Sequence, residues 1–199
     1  MNDEYLGPYN YKFAHAVSIF VMQALLVSLA WALLFQLNEY IFSDITVSKL
    51  VCWVFLPAFI RMLAVMIFDW AGVFGLVLGA YITRDLTVAN GLTPLMLALI
   101  SGIGPYLSMK FCQKSFHLPE SFDGLQPQQL FIFTLAGSVM NTGLNHFYYQ
   151  ISGLEYSLYN TFIPMMVGDF FGTLLMLYLA ALIIRTLRYY FQTKSDFNE

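Results

Sequence analysis

Charge is scarce in this chain. Only 11% of its 199 residues are Asp, Glu, Lys or Arg, whereas 59% are hydrophobic and the mean hydropathy is +0.66. A soluble domain of this size could not bury so much apolar surface. The net charge of -3 is spread without a basic cluster, so neither nucleic acid nor an anionic lipid surface is implied as a partner. Cysteine is equally sparse. Cys52 and Cys112 lie inside or at the ends of apolar runs, with no Cys-x-x-Cys and no adjacent histidine, so they read as packing residues. No His-Glu-x-x-His, nucleophile elbow or phosphate loop occurs, so the expectation is no enzyme, no metal and no cofactor. Met1-Asn2-Asp3-Glu4 is not the basic n-region of a cleavable leader, so the first apolar span is expected to be retained.

What fills the chain instead is a series of apolar runs of membrane-crossing length, at 13–37, 47–68, 71–83, 93–111, 129–151 and 162–187. They predict an all-α, polytopic membrane helical bundle with about six transmembrane helices. Residues 1–199 are expected to form a single membrane-embedded domain surrounded by the lipid bilayer, with no separate soluble output domain. The third run is short. Its thirteen residues rise about 20 Å as a helix, against roughly 30 Å of hydrocarbon, so it must extend through Asp69-Trp70, lie re-entrant, or sit where the membrane is thin. With six spans, Lys12, Lys110, Lys114, Arg185, Arg188 and Lys194 share one side with both termini, and only Lys49 and Arg84 fall on the other. That asymmetry predicts cytoplasmic termini in a cell inner membrane. Trp53, Trp70, Tyr148, Tyr149, Tyr156, Tyr159, Tyr189 and Tyr190 lie near span ends, as amphipathic rings do.

Ionisable groups inside such runs cost about 2.5–3.5 kcal/mol each on insertion, so they face the bundle interior and take partners. Arg61 lies well inside the second run, Asp69 closes it, and Asp169 lies early in the sixth. Arg61 can snorkel to the headgroups, pair with Asp169, or bind an anionic ligand. Asp69, in Asp-Trp-Ala-Gly, reads first as a turn or cap residue. Asp169, between Gly168 and Gly172, sits where a neighbouring backbone can approach closely. The fifth run adds a polar ladder of Thr134, Ser138, Asn141, Thr142, Asn145 and Tyr149 on one helical face, with His146 just beyond. Such a ladder is either interhelical glue or the wall of a polar pocket. Pro57 is expected to kink the second span, and Pro105 to free a carbonyl in the fourth. Arg61, Asp69, Asn141, Asn145, His146 and Asp169 are therefore the candidate ligand-binding or gating residues.

Leu56-Pro57-Ala58, Gly72 through Tyr81, and Val167-Gly168-Asp169-Phe170-Phe171-Gly172 together resemble the membrane-associated sensor domain of the MASE type. The resemblance covers about 55–177. It implies a multi-pass sensory module that binds a small ligand and, with no output domain after the sixth span, acts through a separate membrane or cytoplasmic signalling protein. The outline is also similar to the substrate-binding subunits of energy-coupling-factor vitamin transporters, whose docking stripe of small residues would be matched by Ala16, Ala24, Ser28 and Ala32. Phe68-Asp69 and Gly168-Asp169 faintly resemble the paired aspartates of intramembrane aspartyl proteases, although Met166 stands where that motif has its first glycine. A structural subunit of a larger membrane assembly is the remaining possibility.

Overall fold

The computed structural model describes residues 8–48, 51–83, 92–120, 126–154 and 157–196. Five α-helices carry the fold: α1 (Pro8–Phe42), α2 (Ala58–Ile82), α3 (Thr93–Phe116), α4 (Pro127–Ser152) and α5 (Ile163–Asp196). A small antiparallel ribbon, β1 (Thr46–Ser48) and β2 (Val51–Cys52), lies between α1 and α2, and a π-helical turn, Leu158–Phe162, leads into α5. α1 has no glycine or proline after Pro8, so nothing interrupts its 35 residues, about 52 Å of helix. α4 opens on Pro127 with a Gln126–Gln129 capping box and closes on Gly153, whose φ of 68° suits glycine.

Two sequence expectations change here. The apolar run 47–68 is not one helix: its first part forms the ribbon and an extended segment. Proline lacks an N–H and pushes the preceding residue out of the helical region, so Pro57 starts α2 as its N-cap rather than kinking a span. The second change concerns Asp69. Its φ of 47° and ψ of -120° break α2 into two arms, 58–68 and 70–82. Trp31 touches both, since the Arg61 guanidinium lies 5.2 Å from its ring centroid and a β-carbon on Gly79 would stand 2.9 Å from it. Along a straight helix those residues would be about 27 Å apart. The arms therefore fold back on each other, and Gly72 sits where any β-carbon would overlap the Ala64 carbonyl. The short third run is the second arm of this hairpin.

Successive helical segments alternate in direction. The first arm runs against α1, with Leu56 N–H donating to Asn38 Oδ1 (2.8 Å) and Arg61 lying over Trp31. The second runs with α1, pairing Phe74 with Phe20 and Gly75 with Ala24 and Val27. α3 returns beside it (Trp70 on Tyr106, Gly102 on Val73), α4 lies against α3 (Tyr148 to Thr93, 3.1 Å), and α5 against α4.

Apolar and polar surfaces are inverted relative to a soluble domain. Large apolar side chains such as Leu26, Leu33, Phe74, Phe147 and Ile183 are exposed, while Asn38, Arg61, Ser138, Asn141 and Asp169 are buried. By length and composition four helical stretches, 12–45, 58–82, 93–116 and 158–187, are long and apolar enough to cross a membrane, the second of them being divided by the hairpin at Asp69. These features mark a membrane protein. α4 has comparable length but is less apolar, because its inward face carries the ladder of amides and hydroxyls.

A φ near 47° with ψ near -120° is a region only glycine enters readily, and a side chain held there costs on the order of 1–3 kcal/mol. Asp69→Gly is therefore expected to raise stability by about 1 kcal/mol after the added entropy of the unfolded chain. Thermal unfolding in mild detergent reads this directly, and an unchanged or lowered Tm would contradict it.

Candidate functional site

The hairpin delivers Arg61 to the bundle centre. Its Nη1 donates to Asp169 Oδ2 at 2.6 Å, and the same oxygen accepts from Asn141 Nδ2 at 2.6 Å. One carboxylate oxygen thus joins the first arm of α2, α4 and α5. Arg61 is 7% exposed and Asp169 3%, so Arg61 does not snorkel; its charge is neutralised in place. Trp31 and Phe55 lie against the guanidinium, with ring centroids 5.2 and 5.1 Å from Cζ. Both contacts have cation–π geometry and cover the guanidinium on that side.

Each partner is held by its own helix. Asn145 Nδ2 donates to the Asn141 carbonyl (2.8 Å) and more weakly to Asn141 Oδ1 (3.3 Å). That second contact fixes the Asn141 amide so that its nitrogen faces Asp169. Thr173 Oγ1 donates to the Asp169 backbone carbonyl at 2.7 Å. Gly168 and Gly172 flank Asp169 on α5 and form the groove in which the extended segment before α2 lies. A β-carbon on Gly168 would overlap the Cys52 carbonyl, and one on Gly172 the Phe55 carbonyl, while Phe55 N–H donates to the Gly168 carbonyl at 3.0 Å. The spacing Gly-Asp-x-x-Gly is thus a backbone seat with the carboxylate set beside it.

Of the six candidate residues, the structure brings together Arg61, Asn141 and Asp169, with Asn145 supporting Asn141. His146 lies one residue beyond, half-buried, its ring 5.1 Å from that of Phe162 and 6.1 Å from that of Tyr149, outside the cluster. Asp69 is exposed at the hairpin turn and does not touch Asp169, so the two aspartates form no shared-proton pair. Among the described residues no group of three His, Cys, Asp or Glu side chains is placed to hold a metal. The ladder is largely self-bonded, with Thr134 donating to Leu130 and Ser138 to Thr134, both at 2.8 Å. Tyr149 is buried with the ladder near the C-terminal end of α4. Sequence reasoning missed Trp31, Phe55 and Asn38. Trp31 carried a signal, because a tryptophan in mid-span is away from the headgroup zone such rings favour.

A small cavity adjoins the pair, lined by Arg61, Asp169, Thr134, Ser138, Gly137 and Pro105 among others, with a volume of about 10 Å³. The proline-bearing stretch of α3 and the ladder of α4 thus meet at the ion pair. Compared with protein-family models, curated proteins and solved structures, the chain gives no significant match.

Proposed function

We propose that this protein is a sensory module of the cell inner membrane that binds a small ligand within its helix bundle and passes the signal to a separate signalling protein. The observation that carries the proposal is the single Asp169 oxygen shared by Arg61 and Asn141. Three helical segments depend on one desolvated carboxylate, so a ligand that competes for it changes the packing of all three. In this proposal six helical segments cross the bilayer, with α4 as the interior helix and the α2 arms as a pair of short crossings. Alternating direction then places both ends on the cytoplasmic side, consistent with the lysine and arginine asymmetry. The transporter-subunit alternative has less support, because the stripe it would dock through is partly used internally: the Ala24 backbone lies against Gly75, and Ser28 is buried.

Purification from native membranes in mild detergent is expected to retain a signalling partner such as a kinase or cyclase. Asp169→Asn, Asn141→Ala and Arg61→Ala are each expected to shift that partner's ligand-dependent output by about 5–150-fold, the range of ordinary coupling energies. Unchanged ligand response and unchanged output in all three would sink the proposal. Recovery of an ATPase with a membrane coupling subunit would instead assign the protein to a transporter.

A further inference from the structure

The ion pair is balanced in charge but unfinished in hydrogen bonding. Asp169 Oδ2 accepts twice, while Oδ1 accepts from none of the described residues. Arg61 has five N–H groups, of which Nη1 supplies the one bond to Asp169, and its buried Nε has no acceptor among the described residues. A buried donor left unmade costs on the order of its desolvation, so native proteins fill such positions with protein, water or ligand. Arg61 and Asp169 both line the cavity, together with Thr134 and Ser138, whose hydroxyls donate to their own helix and keep lone pairs to accept with. Its volume of about 10 Å³ matches one water, and its walls offer the two to four polar partners a buried water needs.

Charge decides what else can enter. An anion would leave the site with net charge -1 and a cation with +1, in a bundle interior where an uncompensated charge is strongly disfavoured. We infer that the cavity beside Arg61 and Asp169 is a site for a neutral hydrogen-bonding molecule, occupied by one water in the ligand-free protein, and that ions are excluded from it. This rests on the ligand-binding role proposed above and names the class of ligand: an uncharged group presenting both a donor and an acceptor.

The test is magnetic resonance on ¹⁵N-arginine-labelled protein in phosphatidylcholine nanodiscs, with water as the probe and acetate as the charged competitor. The chain has four arginines, Arg61, Arg84, Arg185 and Arg188, so conservative lysine replacement of the other three assigns the Arg61 Nε–H signal without touching the site. The expected result is a water cross-peak at that signal whose position and intensity do not change as acetate is added. No water contact would overturn the inference, and so would a cross-peak displaced by acetate, which would mark an anion site. Neither outcome depends on a signalling partner. A hydrated Arg61 with unaltered output in the variants above would remove the sensory role while leaving the water site.

Discussion

Asp169→Ala is expected to lower stability by about 3–5 kcal/mol, the cost of leaving a buried charge without its partner. Arg61 cannot easily recover by reaching bulk solvent, because it is buried, Trp31 and Phe55 lie against it, and Asp169 is the acceptor of its described hydrogen bond. Removing both charges should behave differently. Arg61→Met with Asp169→Leu replaces the pair by apolar groups of similar size, and such exchanges are often neutral or stabilising by about 1–4 kcal/mol. A double-mutant cycle on thermal unfolding in detergent therefore separates the pair's worth from the penalty of breaking it. A loss below about 1 kcal/mol in Asp169→Ala alone would mean that Arg61 finds solvent or another acceptor. If the double variant is folded but silent, the pair is kept for signalling and not for stability.

Gly172→Ala should be among the most damaging single methyl additions at the described glycines, with Gly168→Ala alongside it. In each case the added β-carbon would meet a backbone carbonyl, Phe55 or Cys52, rather than a side chain that can swing aside. Overpacking of this kind costs about 1–3 kcal/mol, and the upper part of that range applies where backbone must move. The displacement would also lift the extended segment off α5, and Arg61 follows that segment closely in the chain. Loss of signalling should therefore exceed what the drop in Tm explains. Gly143→Ala is the control, since apart from its own stretch of helix nothing lies within 4 Å of its β-carbon position. It should be neutral or stabilising by about 0.5–1 kcal/mol, because alanine is the better helix former. Equal losses at Gly143 and Gly172 would contradict the seating of the segment on α5.

Much of the architecture was legible because hydropathy and three-to-four-residue spacing are local signals. The placement of α1, α3, α4 and α5, the inward ladder of α4, and the need of Arg61 and Asp169 for partners all followed from them. The ribbon was not, since a hydropathy window treats an apolar strand and an apolar helix alike. The discriminating marks between 46 and 57 were β-branched and aromatic residues ending on Pro57. The hairpin at Asp69 was only half legible: a turn signal was visible, but not that the turn would double the chain back and set Gly72 against Ala64. The contact of Arg61 with both Asp169 and Asn141 was beyond local patterns, because it depends on the fold of α2 and on where α5 docks.

That docking has a cost in time. Arg61 and Asp169 are 108 residues apart in the chain. At a synthesis rate of about 5–20 residues per second, Arg61 emerges on the order of 5–20 s before the carboxylate that will neutralise it. During that interval the first arm of α2 is a poor candidate for lipid, and it must wait in the translocation channel, at the membrane surface, or beside an insertion factor. α5 therefore completes insertion of α2, and truncation before α5 should leave a product marked for quality control by an unpaired guanidinium.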